Sequence, residues 1–252
     1  MPKQISPIVK LKGAIDDISF YKSQDGFMAR QKTSISAERM KTDPKFDLTR
    51  RAGQEFGAGG KSGKLFRDVW ITELNKARDN RVTSRVTQAM VAILQSDPVS
   101  DLGFRRVENG DLTLLKGFEF NIGVTFAATV KTLFPFIIDR VSGQVSINLL
   151  SHIPKLEIAA PENATHYNFF AAAAAIDFAT GEYSITRANS ANLPWDNNPT
   201  TLSVLQMAVA PNTPLPIFLL LGVEFVKLVN GKSYPLSKGL SSLQVREVDQ
   251  LP

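Results

Sequence analysis

A chain of 252 residues, 43% hydrophobic and 21% charged, can bury a core of its own, which excludes general disorder. It contains no cysteine, which excludes disulfides, zinc–thiolate sites, iron–sulfur clusters and cysteine nucleophiles. Only His152 and His166 remain for metal binding or for proton transfer near neutral pH, and the formal net charge is +5.

The charge is distributed unevenly along the chain. Residues 1–106 hold 20 Lys and Arg against 12 Asp and Glu, whereas residues 107–252 hold 9 against 12. The predicted secondary structure changes at the same place, from a hairpin and helices to strands and turns. We therefore predict two units, a basic hairpin-plus-helices arm over residues 1–106 and a β-sandwich domain over residues 107–252, with the boundary near residues 97–110.

The N-terminus carries no recognisable targeting signal. Lys3, Lys10 and Lys12 interrupt the apolar core that a secretory signal needs. The longest apolar run, residues 217–226, is shorter than the roughly 20 residues of a membrane span. We therefore expect no membrane span, and a protein that is cytoplasmic as synthesised and available for incorporation into a particle.

The first predicted element is a β-hairpin. Its turn is centred on Asp25-Gly26, a pair that tolerates positive φ at both central positions of a type I′ turn. Apolar and polar residues alternate over 18–21, so one face of the hairpin is apolar. Because an isolated two-stranded hairpin is marginal in water, we expect it to lie on another surface of its own chain or of a neighbour. The candidate interaction residues are Phe20, Tyr21, Lys22, Asp25, Gly26, Phe27 and Arg30.

Two helices are predicted next. Asp43-Pro44 is an N-cap followed by proline at the first helical position, and apolar residues then keep helical spacing over 52–77. Five glycines interrupt this segment: Gly53, Gly57, Gly59, Gly60 and Gly63. Each glycine in a helix interior costs about 1 kcal/mol, so we predict a break near residues 57–63, with close approach of another backbone as the alternative. The second helix has one apolar stripe formed by Val82, Val86, Met90, Ile93 and Leu94.

From residue 112 onward the pattern is typical of strands and turns, and Asn230-Gly231 is the strongest hairpin signal. The predicted strands are residues 118–126, 144–150, 167–178, 183–186, 202–210, 217–229 and 243–248. The alanine run at 171–175 favours helix by propensity, but we predict a buried strand facing bulky neighbours. The expected fold class is α+β, with an antiparallel β-sandwich of immunoglobulin-like or jelly-roll type.

One stretch of the N-terminal half carries a recognisable motif. It consists of Gly13-Ala14-Ile15-Asp16-Asp17-Ile18-Ser19-Phe20-Tyr21-Lys22-Ser23-Gln24-Asp25-Gly26, Arg30, Asp43-Pro44-Lys45-Phe46, Thr49-Arg50, Glu55-Phe56-Gly57 and Gly63-Lys64-Leu65-Phe66-Arg67. Over about residues 13–68 this resembles a family of uncharacterised Bacteroidetes proteins with an N-terminal hairpin motif and a strand-rich C-terminal half. The resemblance implies a bacterial origin and a motif that is not an enzyme signature, and it implies no activity, ligand or catalytic residue.

Tests for nucleotide and nucleophile motifs are negative. Residues 55–62 end in Gly-Gly-Lys-Ser, but Glu55 stands where a P-loop needs its first glycine, and a carboxylate there would repel phosphate. Ser62 and Ser151 lie outside a Gly-x-Ser-x-Gly motif. We therefore predict no catalytic residue and no cofactor site, and the protein is expected not to be an enzyme.

Metal sites are not indicated either. His152 and His166 lack any metal-binding spacing, and the simpler interpretation is two structural histidines. Asp16-Asp17 could bind calcium weakly in a turn, but the rest of an oxygen cage is not apparent. We predict solvated turn residues and no metal.

Two features suggest a binding module. Cationic residues lie around the hairpin beside its aromatic residues, a mixture that single-strand binders use for phosphates and for stacking. The cations are Lys10, Lys12, Lys22, Arg30 and Lys32. Trp195, in the polar loop 193–199, could stack on a sugar ring or anchor a protein, or could instead fold back to plug one end of the sandwich.

These observations lead to one main hypothesis and one alternative. We predict a non-enzymatic structural or assembly protein whose N-terminal arm docks onto a second copy or another protein subunit, with a virus-like particle as one setting. Opposite charge on the two halves favours head-to-tail contact. The alternative is a binding module, for glycan through Trp195 or for nucleic acid through the basic N-terminal half.

Overall fold

The computed structural model of the chain describes residues 3–5, 9–32 and 35–251. Within these residues the helices are α1 Ala37–Thr42, α2 Asp47–Val69, α3 Ile71–Lys76, α4 Val82–Gln95, α5 Phe126–Thr129 and α6 Pro154–Glu157. The strands are β1 Gly13–Ile15, β2 Ile18–Ser23, β3 Gly26–Gln31, β4 Phe136–Asp139, β5 Gln144–Leu149, β6 His166–Ile176, β7 Tyr183–Asn189, β8 Leu193–Pro194, β9 Ser203–Ala208, β10 Ile217–Val229, β11 Lys232–Pro235 and β12 Ser242–Asp249. None of these helices is long and apolar enough to cross a membrane.

The chain forms two compact units, Met1–Arg51 and Ala52–Pro252. The division falls inside helix α2, and it does not coincide with the change in charge near residues 97–110. The physical reason is that the helical segments after residue 52 share one hydrophobic core with strands of the C-terminal sheet, as Trp70 and Leu220 do. The change in charge near residues 97–110 therefore falls inside the second unit, whose helices and strands share a continuous core.

The N-terminal unit contains an antiparallel sheet of three strands in the order β1-β2-β3. The predicted hairpin is confirmed as β2 and β3, but its turn is shifted by one residue. Ser23 pairs with Gly26, so Gln24 and Asp25 occupy the turn. Gly26 alone takes the positive φ, +112°. This conformation favours glycine, which explains why the Asp25-Gly26 signal still located the hairpin.

Helix α2 is continuous across its glycines, so the predicted break is wrong, and the alternative of a close backbone approach holds at Gly59 and Gly63. A Cβ at Gly59 would lie 2.6 Å from Val91 Cγ2 and 3.2 Å from the Val91 backbone nitrogen. A Cβ at Gly63 would lie 3.4 Å from the Cα of Thr87. Because these two glycines let α4 approach closely, helix packing offsets part of their intrinsic cost.

Helix α4 carries the predicted stripe, and all five of its residues are buried. They pack with Phe66 of α2 and with Trp70, the residue between α2 and α3, against the C-terminal sheet. Phe66 makes edge-on aromatic contacts with Trp70 and with Phe218 of β10, at centroid distances of 5.9 and 5.4 Å. The helices of the second unit therefore cover one face of the main sheet.

The main sheet has six strands in the order β11-β10-β6-β7, with β12 also paired to β10 and β8 to β6. The alanine run is the centre of β6 and is completely buried, as predicted. Ala172 and Ala174 face the helices, whereas Ala171 and Ala173 belong to a second core cluster on the opposite face. Small side chains on both faces let bulky neighbours pack closely on a strand buried on both sides.

A smaller antiparallel sheet, β4-β5-β9, contributes Val145, Ile147 and Leu205 to that second core cluster. The helices and antiparallel sheets of the α+β prediction are thus present, and the immunoglobulin-like and jelly-roll types stay predictions. One predicted strand is wrong. Residues 118–126 do not form a strand: Glu119 and Gln244 make an isolated bridge to β12, beside backbone hydrogen bonds from the Phe120 N–H to the Leu243 carbonyl (2.9 Å) and from the Val245 N–H to the Phe118 carbonyl (3.0 Å). Helix α5 begins at Phe126, where Thr125 provides the N-cap.

Candidate functional site

The N-terminal unit is unusual because none of its described residues, within 3–5, 9–32 and 35–51, is buried. Large apolar side chains stay in contact with water, including Ile15 (60% exposed), Ile18 (44%) and Leu48 (68%). The second unit, in contrast, buries two large hydrophobic clusters. Exposed apolar side chains in a small unit that buries none of its described residues are a mark of an interaction surface.

Strand register divides the side chains of the N-terminal sheet between two faces. One face, here called the Phe20 face, consists of Gly13, Ile15, Ile18, Phe20, Lys22, Phe27, Ala29 and Gln31. The opposite face, here called the Tyr21 face, consists of Ala14, Ser19, Tyr21, Ser23, Gly26, Met28 and Arg30. The predicted interaction residues of the hairpin therefore do not form one surface, because Phe20, Lys22 and Phe27 point away from Tyr21 and Arg30.

The Phe20 face is apolar at the end nearest the β1–β2 turn. A hollow of ≈ 690 Å³ lies there. Ile15, Ile18 and Ala29 contribute the apolar part of its lining. Asp16 and Asp17 form the turn at its edge and are exposed, as predicted for solvated turn residues. We call this region the apolar end.

The other end of the Phe20 face is cationic and aromatic. The ammonium groups of Lys10 and Lys22 each lie 5.8 Å from the centroid of the Phe27 ring. Lys22 stands directly opposite Phe27 in the strand register, and Phe20 is the diagonal neighbour of Phe27 on the same face. We call Lys10, Phe20, Lys22 and Phe27 the cationic end.

Gln4 places Lys10 at this end. The Gln4 backbone N–H donates to the Phe27 carbonyl (2.9 Å), which brings residues 3–5 alongside β3. The Gln4 side-chain oxygen accepts from the Leu11 N–H (2.9 Å), and the Lys10 ammonium donates to the Gln4 carbonyl (2.8 Å). Sequence reasoning placed Lys10 near the hairpin. It did not predict the hydrogen bonds that hold Lys10 there, because no local motif indicates them.

The net charge of the protein lies entirely in the N-terminal unit. Residues 1–51 hold 11 Lys and Arg against six Asp and Glu, whereas residues 52–252 hold 18 of each. Within residues 9–32 the carboxylates are Asp16, Asp17 and Asp25, and all three lie in turns. The strand residues of the Phe20 face therefore carry a cation and no carboxylate.

Trp195 belongs to the second unit. Its indole N–H donates to the Ile158 carbonyl (3.0 Å), and Lys155 lies 5.5 Å from its ring centroid. The half-buried ring packs against the second core cluster. This geometry matches the alternative in which the tryptophan folds back onto its own domain.

The histidines have structural partners. His152 is buried, with Nε2 2.7 Å from the Tyr167 hydroxyl and Nδ1 2.9 Å from the Leu150 carbonyl oxygen. His166 lies near the surface, with Nδ1 3.0 Å from the Thr165 hydroxyl. Among the described residues, no group of three or more His, Asp or Glu side chains could hold a metal ion.

Glu119 is the titratable group that sequence reasoning missed. Burial raises the pKa of its carboxyl to about 7, and hydrogen bonds from the Phe126 N–H and the Gln244 amide, both 2.9 Å, oppose that rise. Its other oxygen is buried without a hydrogen-bond partner. The available sequence signal was a carboxylate, Glu119, between two aromatic residues, Phe118 and Phe120. Its contacts connect the 118–126 segment to β12, which is a structural role.

Comparisons with known proteins add no relative from which a function could be transferred. No protein-family model, curated protein or solved structure matches the chain. The functional interpretation therefore depends on the geometry and chemistry of the described residues.

Proposed function

We propose that this protein is a non-enzymatic assembly subunit whose N-terminal unit docks onto a second copy of the chain. The observation that carries the proposal is the absence of any buried side chain among the described residues of 3–51. A small sheet without a hydrophobic core gains too little from burial to offset the entropy of ordering its backbone. A neighbouring molecule would supply the missing burial.

The apolar end of the Phe20 face is the proposed anchor of this contact. Ile15 and Ile18 are adjacent partners in the β1–β2 register and both are exposed. Complete burial of one such side chain stabilises an interface by about 1.5–3 kcal/mol. Two together supply a substantial part of the free energy of a specific contact.

Charge favours the second unit of another copy, residues 52–252 and here called the body, over its N-terminal unit as the docking surface. Two N-terminal units each carry +5 and repel, whereas residues 52–252 are neutral overall. A contact between the N-terminal unit of one copy and the body of the next is heterologous, and its repetition produces rings or filaments. Incorporation into a larger particle, including a virus-like one, is a natural setting for such a subunit.

The experiment measures molar mass by size-exclusion chromatography with light scattering over a series of concentrations. We expect the mass to rise above that of one chain, and to persist at high salt because the anchor is apolar. The double variant Ile15→Ser/Ile18→Ser should shift the mass toward the monomer. Leu133→Ser/Leu156→Ser removes two exposed leucines of the second unit and should leave the mass unchanged.

A wild-type protein that stays monomeric at every concentration would remove the assembly proposal. Equal effects of the two double variants would remove the apolar end as the anchor. The glycan alternative through Trp195 has no specific observation in its favour, since the indole N–H already donates to Ile158.

A further inference from the structure

We propose that the cationic end of the Phe20 face binds single-stranded nucleic acid. This is a second function at the end of the sheet opposite the proposed assembly anchor, and it does not depend on assembly. The ligand class is a flexible polyanion with exposed aromatic bases. The residues that would contact it are Lys10, Phe20, Lys22 and Phe27.

Charge complementarity is the first step of the argument. All of the excess positive charge, 11 cations against six anions, lies in residues 1–51, whereas the remainder of the chain is balanced. Asp16 and Asp17 lie in the turn at the apolar end, so they are displaced along the strands from Lys22 and Phe27. Asp25 lies in the other turn and is the carboxylate nearest in sequence to the cationic end. A phosphate chain crossing the strands at Lys22 would meet cations on the Phe20 face.

The aromatic side chains supply the second step. Phe20 on β2 and Phe27 on β3 are diagonal neighbours on one face, and both rings are only half-buried. Side chains in such positions lie about 7–8 Å apart, close enough for consecutive bases of one strand to reach both rings. Stacking of this kind tolerates any base, so we expect binding with little sequence preference.

The lysines supply the third step. Both ammonium groups lie over the Phe27 ring, 5.8 Å from its centroid, so a phosphate next to a base at that ring has a cation within reach. Lys10 donates one hydrogen bond to the Gln4 carbonyl, and its ammonium has two further N–H donors for a phosphate. Base stacking and phosphate contact can thus be made by the same nucleotide.

A single strand fits this arrangement better than other polyanions. A duplex keeps its bases stacked on one another, so Phe20 and Phe27 would gain little from it. An acidic protein would satisfy the lysines but would offer no base to the aromatic rings. The combination of cations and half-exposed rings on one sheet face therefore favours a single strand.

The experiment is a fluorescence-anisotropy titration of a labelled oligothymidine of about 20 nucleotides with the full-length protein. We expect saturable binding that weakens as the salt concentration rises from about 50 to about 200 mM. In Lys10→Gln/Lys22→Gln the slope of log affinity against log salt should become shallower by about 1.4, that is, about 0.7 for each lost phosphate contact. Phe27→Leu keeps an apolar side chain but removes the stacking ring, and should weaken binding by about tenfold.

The matched control is Lys61→Gln/Lys64→Gln, which removes the same charge from exposed positions of α2 and should leave the affinity unchanged. Far-ultraviolet circular dichroism confirms that each variant keeps its secondary structure. Equal weakening by the control variant would overturn the site, because the affinity would then follow net charge alone.

Competition identifies the class of ligand. Unlabelled oligothymidine should displace the probe, whereas a duplex of equal length and polyglutamate should displace it poorly. Equal displacement by polyglutamate would overturn the nucleic-acid assignment in favour of an acidic protein partner. Ile15→Ser/Ile18→Ser should keep oligothymidine binding, so loss of assembly and loss of nucleic-acid binding are separate results.

Discussion

Gly59 of α2 lies directly against Val91 of α4, and a Cβ at Gly59 would be 2.6 Å from Val91 Cγ2. Gly57, on the same helix, has no atom within 4 Å of the position that a Cβ would take. The two glycines therefore have different physical explanations. Gly59 is required by packing, whereas Gly57 carries the intrinsic cost of glycine in a helix without a compensating contact inside its own unit.

The glycine pair gives a prediction about stability. Gly57→Ala should raise the free energy of unfolding by about 1 kcal/mol because alanine is the better helix former. Gly59→Ala should lower it by about 1–3 kcal/mol, because the added methyl overlaps Val91 and displaces α4. Urea denaturation followed by circular dichroism measures both. Stabilisation by both variants would show that α2 and α4 are not in close contact.

Arg140 provides a second prediction. Its guanidinium follows β4 and donates to the Asp249 carboxylate (3.0 Å) and to the backbone carbonyls of Thr213 (2.6 Å) and Leu215 (2.9 Å). Lysine lacks the planar fork that reaches several acceptors. Arg140→Lys should therefore lower the free energy of unfolding by about 2–3 kcal/mol, while Arg106→Lys, at an exposed position, should change it little. Chemical denaturation of both variants tests the difference, and equal losses would contradict it.

Glu119 gives a prediction about pH. Its pKa in the folded protein is about 7 against an ordinary value of 4.5, so the folded state holds the proton more tightly than the unfolded state. The free energy contributed by this group is present below pH 4.5 and is lost as the pH rises to about 7. Glu119→Gln stays neutral throughout, so its stability relative to the wild type should increase from about pH 5 to about pH 8.

Urea denaturation of the wild type and of Glu119→Gln at about pH 5 and at about pH 8 measures this change in relative stability. Glu162→Gln, at an exposed position, is the control, and its stability relative to the wild type should vary less. A constant difference between Glu119→Gln and the wild type would contradict the raised pKa.

The N-terminal unit gives a fourth prediction. A peptide of residues 1–51 should not melt cooperatively in dilute solution, because its described residues bury no side chain. Thermal circular dichroism of the peptide, beside the full-length protein, measures the transition. A sharp, reversible transition of the isolated peptide at low concentration would contradict the dependence on a neighbour.

Part of the candidate site was predictable from local pattern. Alternation over residues 18–21 placed Phe20 on an apolar face, and Asp25-Gly26 located the hairpin that brings Lys22 opposite Phe27. The split of the predicted set between the Phe20 and Tyr21 faces follows from the same alternation. The third strand and the Gln4 contacts that position Lys10 depend on pairing across the sheet, and no local signal indicated them.

The amino-acid sequence by itself determined the elements that depend on neighbouring residues. These are the hairpin turns, the buried stripe of α4 and the strand at the alanine run, because backbone preference and side-chain period are local properties. Tertiary structure decided the continuity of α2 and the environment of Glu119, and it ended the N-terminal unit at Arg51. Each of these depends on which distant segment lies nearby, and that is settled only when the cores form.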